Sequence, residues 1–264
     1  APTLPDGSIQ GNVTGNYQTN NGLIGYSANI AGNLTGLIWD LRYSNKMAHD
    51  YKNKYDGTVF NSRYREQNMG GIIGVNKSWG YSHIHFSMYN LNPGIVEGDR
   101  DSLTGKFIKP IAIDDSTEGT EIANGADFKR YKPATPFQQI NHYKAVLNNN
   151  FIVGNGSVKA TIGFQQNRRQ EFSDVLMPDA YGLYFLMNTM NYDVRYTMNR
   201  KNNFNVSVGV NGMKQESQNK GTEFLVPEYN LFDIGVFTIL KKSFDKLDIS
   251  GGIRYDSRDE RGKD

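Results

Sequence analysis

The strongest constraint on this chain is an alternation of apolar and polar residues with a period of two, which recurs along almost its whole length. In one segment, Phe204, Val206, Val208 and Val210 are each followed by a polar residue or glycine. A period of two predicts a β-strand with one apolar face. No segment shows a helical period with capping residues. Turn signals separate about eleven such segments, which lie near residues 8–19, 22–32, 34–45, 63–77, 81–90, 140–150, 157–172, 181–198, 203–216, 229–241 and 247–257.

The connections between these predicted strands alternate between short and long. Long polar spacers at 46–62, 91–139 and 217–228 are separated by tight Gly- and Asn-containing turns. In an up-and-down meander every second connection lies at the same end, so one end carries tight turns and the other carries long loops. Membrane β-barrels have this asymmetry. The strands of a soluble sandwich or propeller also alternate, but neither fold explains the long loop at 91–139. A propeller would in addition show a blade repeat, which the sequence lacks.

The sequence therefore predicts an all-β fold, an antiparallel up-and-down transmembrane β-barrel wall of about eleven strands. We expect the valines of segment 204–211 to face lipid and the intervening asparagines and serine to face a wet lumen. Such a wall, if it is not closed, leaves its first and last strands with unpaired edges.

Composition removes several functional classes. The chain has no cysteine, which excludes thiol catalysis and cysteine-ligated metal sites. Its net charge of +2 is too small to indicate a nucleic-acid partner. The 264 residues begin at Ala1 without an initiator methionine or a signal peptide, and they end in a polar stretch, so we interpret them as a piece of a longer protein.

Several segments, in order and spacing, resemble one family. They are Gly15-Asn-Tyr-Gln-Thr-Asn-Asn-Gly-Leu-Ile-Gly-Tyr-Ser27, Ala48-His-Asp-Tyr-Lys-Asn-Lys-Tyr-Asp-Gly57, Gly94-Ile-Val-Glu-Gly98, Pro136-Phe-Gln-Gln-Ile-Asn-His-Tyr-Lys144 and Gly163-Phe-Gln-Gln-Asn-Arg-Arg-Gln-Glu171. These segments resemble the barrel strands of TonB-dependent outer-membrane receptors of the Bacteroides type. The resemblance implies a 22-stranded barrel with a plugged lumen. Residues 1–264 then form one partial barrel domain, about half of the barrel, without the plug, the TonB box and the carboxy-terminal half.

The same resemblance implies a function. Such a receptor takes up an iron chelate, either a siderophore or haem, across the outer membrane of a Gram-negative bacterium. Its partners are outer-membrane lipid, TonB through the missing plug, and the small iron chelate, with no nucleic acid. No bond is made or broken, so we expect no enzyme activity, no catalytic residue and no cofactor. Uptake of cobalamin or a glycan, and a plug-less porin or surface-adhesion barrel, remain as alternatives.

Candidate ligand-binding residues lie in the two longest spacers. Arginine and tyrosine suit anionic or aromatic chelates, and histidine or tyrosine can ligate haem iron. For each residue taken singly, an ordinary solvated or aromatic-girdle role is the alternative. The candidates are His49, Tyr51, Tyr55, Arg100, Arg130 and Tyr131.

Other clusters receive a plainer interpretation. His83 and His85 share one strand face close to a tight turn, and without an evident third ligand they predict contact with a plug, not a metal site. Arg168 and Arg169 lie at the outer end of their strand. Acidic residues of the longest spacer lack the spacing of a calcium loop and predict a solvated loop. They are Asp99, Asp101, Asp114, Asp115, Glu118 and Glu121.

Overall fold

The computed structural model describes residues 4–200 and 203–263, and its main feature is one antiparallel sheet of eleven strands. The sheet follows chain order, so each strand is hydrogen-bonded to its neighbours in sequence. Four short strands and one 3-10 helix lie in the connections. In chain order the strands are β1 (Ser8–Gln18), β2 (Leu23–Leu34), β3 (Leu37–Ala48), β4 (Lys52–Asn53), β5 (Gly57–Thr58), β6 (Tyr64–Lys77), β7 (Gly80–Pro93), β8 (Ile108–Ala112), β9 (Glu118–Ile122), β10 (Phe137–Val153), β11 (Gly156–Phe172), β12 (Leu183–Arg200), β13 (Phe204–Asn219), β14 (Glu228–Ser243) and β15 (Asp248–Lys263).

The predicted meander is confirmed. β4 pairs with β5 and β8 with β9 as separate two-stranded hairpins, and the other eleven strands form the main sheet. Helical structure among the described residues is confined to one 3-10 turn, Asp127–Lys129, in the longest connection. No helix among the described residues is long and apolar enough to cross a bilayer.

Some boundaries differ from the prediction. The predicted strand 22–32 continues to Leu34 in β2, and the reversal occurs at Thr35 and Gly36. Both of these residues have positive φ, as a two-residue type I′ hairpin turn requires. The last strand continues to Lys263, beyond the predicted end at 257, because pairing with β14 holds a segment that is polar on both faces.

The register between neighbouring strands is unbroken, so one row of side chains can be followed across the sheet on a single face. One such row is almost entirely apolar, and it consists of Trp39, Ile73, Ile84, Leu147, Ile162 and Tyr192. The next row lies on the opposite face and is polar across the later strands. Its members there are His83, Asn148, Thr161, Asp193 and Asn211.

The exposure of the two faces is the reverse of that in a soluble protein. Met190 is 46% exposed and Ile73 is 57% exposed, whereas Thr189, next to Met190 but on the polar face, is 2% exposed. Cavities of about 440 and 640 Å³ open on the polar face, which is therefore the concave one. An apolar convex face and a polar concave face are the arrangement of a barrel wall with lipid outside and water inside.

The predicted assignment of faces in β13 is confirmed. Val208 is 43% exposed on the apolar face. Its neighbour Ser207 faces the concave side and shares a hydrogen bond of 3.0 Å with Thr197 of β12. Asn211, also concave, donates to Asp193 at 3.2 Å.

The sheet is a wall with two open edges. β1 and β15 are its first and last strands, and within the described residues neither has a partner on its outer side. Almost every residue of β1 is exposed. An unpaired edge is not tolerated in hydrocarbon, because each unsatisfied backbone group costs several kcal/mol there. The predicted open edges are confirmed, so the wall requires further strands before it can span a membrane.

We predict that charge is tolerated on one face of β13 and not on the other. Arginine at position 208, near the middle of the apolar band, should cost roughly 2–4 kcal/mol of folding free energy in a bilayer. The Ser207→Arg variant, which points into the lumen, should cost much less. Equilibrium folding of the full-length protein into phospholipid vesicles in denaturant measures the folding free energy of each variant. Equal costs for Val208→Arg and Ser207→Arg would contradict the assignment of faces.

Candidate functional site

Tight turns and long connections lie at opposite ends of the wall. Two-residue turns at Thr35–Gly36, Ser78–Trp79 and Gly154–Asn155 lie at one end. At the other end lie the connections 49–63, 94–136, 173–182 and 220–227. The two longest, 49–63 and 94–136, pack together into one unit that we call the loop module.

The loop module has an apolar core of its own. Val59 and Phe60 from the first connection pack against Phe107 and Ala123 from the second. All four are buried, whereas most large apolar side chains of the sheet are exposed. Phe128, from the 3-10 turn, meets the Phe60 ring edge-to-face at 6.3 Å between ring centroids. This core makes the two connections one folded body.

A buried ion pair lies where the loop module joins the wall. Arg63 Nη2 is 2.7 Å from Asp50 Oδ2, and Arg63 Nε donates to Asp50 Oδ1 at 3.0 Å. Both side chains are about 1% exposed, and the guanidinium also stacks over Phe60 at 5.1 Å. Burial raises the pKa of Asp50, while the hydrogen bonds and the charge of Arg63 oppose that rise. Because Asp50 and Arg63 compensate each other, neither can be removed alone without leaving a buried charge unpaired.

Asn61 connects the two halves of the loop module by its side chain. Its amide nitrogen donates to the carbonyl oxygens of Ile95, Ala134 and Pro136 at 3.1, 3.0 and 2.7 Å. Its amide oxygen accepts the Ala134 N–H at 2.9 Å. The residue is 1% exposed and has a positive φ, which asparagine tolerates better than most residues. The two N–H groups of this amide are therefore shared among three carbonyl oxygens of the opposite connection.

Two of the candidate ligand residues lie together. The rings of His49 and Tyr131 are 5.7 Å apart in an edge-to-face arrangement. The Tyr131 hydroxyl donates to the Gly22 carbonyl at 2.7 Å, and a Cβ at position 22 would collide with the His49 ring. Gly22 also has a positive φ. His49 and Tyr131 therefore attach the loop module to the β1–β2 turn.

The other four candidates do not converge with this pair. Arg100 lies over the Phe107 ring at 3.9 Å and contacts Asp56 at 2.7 Å, so it links the two connections. Tyr55, at the tip of the β4–β5 hairpin, is 93% exposed. Tyr51 is also exposed. Arg130 is mostly exposed and lies 3.8 Å from Asp127.

A cleft of about 570 Å³ opens between the two connections, and we call it the loop cleft. Asp56 and Arg100 line it together with Lys106, Phe107 and Phe128. Lys106 and Arg100, the latter paired with Asp56, provide positive charge and hydrogen-bond donors at the cleft, while Phe107 and Phe128 belong to the core beneath it. The cleft is a concave feature at this end of the wall, and the sequence-predicted Arg100 lines it.

The remaining predicted clusters are dispersed. His83 faces the lumen, stacks on Tyr81 at 4.6 Å and forms a hydrogen bond with Asn76 at 2.7 Å. His85 follows on the same face, 6.3 Å away between ring centroids, and the described residues contain no group of three or more metal-ligating side chains.

The predicted arginine pair and the predicted acidic cluster do not form sites either. Arg168 faces outward and Arg169 inward, as the alternation of β11 dictates. The acidic side chains of the long connection act locally, since Asp101 accepts from Thr104 and Asp114 from Ser116. These bonds lower the pKa of both carboxyl groups.

The residues that organise the loop module are not among the sequence-predicted ones. Asp50, Asn61 and Arg63 are the largest fully buried side chains; the first two lie in the predicted spacer 46–62, and Arg63 is the first residue of the predicted strand 63–77. The one signal in the sequence that could have found any of these three residues was the location of Asp50 between the predicted His49 and Tyr51. Their roles depend on contacts with residues such as Pro136, far away in sequence.

Comparison with solved structures shows which fold this wall has. It matches two variants of the FrpB iron transporter from Neisseria meningitidis, F3-3 with a TM-score of 0.63 at 12% identity and F5-1 with 0.64 at 13%. The apoprotein form of F5-1 gives 0.64 at 11% identity. The wall has the barrel fold of these transporters. No protein-family model and no curated relative matches the sequence.

The match covers unequal shares of the two chains. It includes 97% of this chain but only 41–42% of each FrpB chain. The eleven strands therefore correspond to less than half of such a transporter. The fold supports the TonB-dependent receptor resemblance in general, and the finer resemblance to the Bacteroides type stays a prediction.

We predict that breaking the buried ion pair loosens the loop module far more than breaking the exposed one. The Asp50→Asn variant leaves the Arg63 guanidinium buried without a counter-charge and should lower the free energy of local opening by about 3–5 kcal/mol. The matched Asp56→Asn variant removes the partner of exposed Arg100 and should cost at most about 1 kcal/mol. Native-state hydrogen exchange of the amides of the loop module in the full-length protein measures both.

The apolar double variant provides the control for this prediction. Replacing Asp50 by Leu together with Arg63 by Met removes both charges at once, and it should restore most of the protection lost in Asp50→Asn. If the double variant opens as easily as the single one, unpaired charge is not the cause of the loss.

Proposed function

We propose that this chain is part of the barrel of a TonB-dependent outer-membrane receptor that takes up an iron chelate, a siderophore or haem. The observation that carries the proposal is the wall itself, apolar on its convex face and polar on its concave face, with the fold of iron transporters. The inverted polarity supports a place in a membrane. The structural neighbours are iron transporters, and this supports iron as the cargo.

The loop module is the proposed site of first contact. It lies at the end of the wall that carries the long connections, which in this class of barrel is the extracellular end. Its core and buried bonds hold the two connections together, and Asp56 and Phe107 hold Arg100 in place before a ligand arrives. A preorganised surface loses less conformational entropy on binding than a mobile loop. The chelate would enter the loop cleft, where aromatic rings and cations are already positioned.

The concave wall has a different proposed role. Its amides and paired charges keep the interior wet, and His83 and His85 lie near the tight-turn end, far from the loop module along the strand. In the whole receptor a plug would occupy that depth, and TonB would act on the plug to release the chelate. No step in this scheme requires a reaction at a side chain, so the proposal includes no catalytic residue.

We predict that the loop module carries ligand affinity and that the histidine pair does not. Replacing 94–136 by a short turn between Pro93 and Phe137 in the full-length receptor should weaken binding at the cell surface at least tenfold, about 1.4 kcal/mol. Replacing His83 and His85 by Asn should leave that affinity nearly unchanged. The measurement uses radioactive iron carried by catecholate, hydroxamate and haem ligands on intact cells.

Three outcomes would contradict parts of this proposal. If the loop deletion binds normally and the histidine variant does not, the recognition site lies in the lumen. If none of the iron ligands binds but cobalamin or an oligosaccharide does, the cargo is wrong while the receptor class stands. Passive diffusion of all small solutes without saturation would favour a porin instead.

A further inference from the structure

The convex face of the wall changes its chemistry abruptly near the end that carries the loop module. On β3, β6, β7 and β10 the outward residues Tyr43, Met69, Met88 and Tyr143 form one register row. The next outward row, one residue pair closer to the loop module, contains amides only. It consists of Asn45, Gln67, Asn90 and Asn141.

These amides line a groove on the outer side of the wall, which we call the outer-wall groove. Its volume is about 410 Å³. Asn141 donates to Asn90 at 2.8 Å across the β7–β10 pair. Gln67 donates to the hydroxyl of Tyr43 at 2.8 Å, so the groove begins directly above the aromatic row.

The height of the groove places it at a membrane boundary. On β10 the outward residues from Phe151 to Tyr143 are apolar except for Asn149, and they cover about 26 Å along the strand. A strand tilt of about 30–40° reduces this to roughly 20–23 Å across the membrane, close to the apolar band of outer-membrane barrels. Asn141 therefore lies just beyond the hydrocarbon, at the level of lipid headgroups.

The outward side of the groove carries positive charge, because Glu66, which also lines the groove, belongs to the concave row of Lys46 and pairs with that residue at 3.3 Å. Arg65 belongs to its lining, and Arg168 is the register partner of Asn141. Arg168 Nε donates to Gln166 at 2.7 Å and its guanidinium lies 5.8 Å from the Tyr143 ring. Among the described residues no carboxylate forms an ion pair with Arg65 or Arg168.

Arginines of the concave face behave differently. Arg42 pairs with Asp40 at 2.7 Å, Arg254 with Asp256 and Arg258 with Asp233. Each of these three lumen guanidinium groups is therefore paired with a carboxylate, on its own strand for Arg42 and Arg254 and on the neighbouring strand for Arg258. Arg65 in the groove and Arg168 beside it have no such carboxylate partner among the described residues.

We propose that the outer-wall groove binds the phosphorylated glycolipid headgroup of the outer leaflet. A guanidinium fits a phosphate in bidentate geometry, and amide groups donate to and accept from sugar hydroxyls. The groove lies where such headgroups begin, and its charge is complementary to theirs. The inference rests on the membrane placement in the proposed function, and it concerns lipid, not the transported cargo.

The test uses the full-length receptor in detergent and lipid A as the probe. The variant combines Arg65→Gln with Arg168→Gln, and the matched control combines Lys144→Gln with Arg169→Gln, which removes the same charge from the concave face. We expect the groove variant to bind lipid A at least tenfold more weakly and the control to bind like the wild type. Dephosphorylated lipid A should bind the wild type as weakly as lipid A binds the groove variant.

Further arms keep the outcomes distinct. Lysine at both positions retains the charges and should retain most of the affinity, and heat-modifiable migration on gels verifies that each variant has folded. Equal losses in groove variant and control, or no loss in either, would overturn the inference. Because iron binding at the loop module is measured separately, a receptor that binds lipid A as expected but no iron ligand rejects only the proposed cargo.

Discussion

The constraint on which the rest of this structure depends is that a backbone inside hydrocarbon has no water to pair with. Every N–H and C=O group must find its partner on an adjacent strand. The chain meets this requirement with pairs of strands whose register runs without interruption, as in the seventeen-residue ladder of β10 and β11. Because no residue is skipped, alternate side chains stay on one face, and that face can be apolar throughout. Sheet continuity and inverted polarity are therefore two results of one requirement.

The loop module obeys the opposite rule, because it lies in water. Its apolar side chains are inside, and its buried polar groups are paired with one another, as Asp50 and Arg63 show. The transition occurs within a few residues, since Ala48 ends β3 and Asp50 begins the buried network. Because it is surrounded by water, the loop module can fold as a stable body at this end of the wall. It can present a cleft of fixed shape without help from a ligand.

Sequence reasoning predicted the wall well because a period of two is a local signal. It underestimated strand length where both faces are polar, as at the end of β15, because pairing with β14 continues there without any alternation. The loop module was predicted only as two spacers that contain suitable residue types. Its organisation depends on tertiary contacts, such as those of Asn61 with Ala134 and Pro136, which no local pattern encodes. For the same reason Arg100 was predicted as a free ligand group although Asp56 and Phe107 engage it.

The polarity of the convex face also measures the tilt of the strands. On β3 the apolar band ends at Tyr43, and on β15 it ends at Tyr255, beyond which Ser257 and Asp259 follow outward. Tyr255 lies in the register row of Leu37, which is six residues before Tyr43 on β3. Relative to the register rows, the apolar boundary therefore moves by six residues, about 20 Å, between β3 and β15, which are eight strand spacings of about 4.8 Å apart. That ratio corresponds to a tilt of about 30°, near the range of membrane barrels. A level membrane surface crosses registered rows obliquely, and side chains in one row therefore differ in depth. This is why the row of Leu41, apolar on most strands, can end in a charged residue on β15 without placing that charge in lipid.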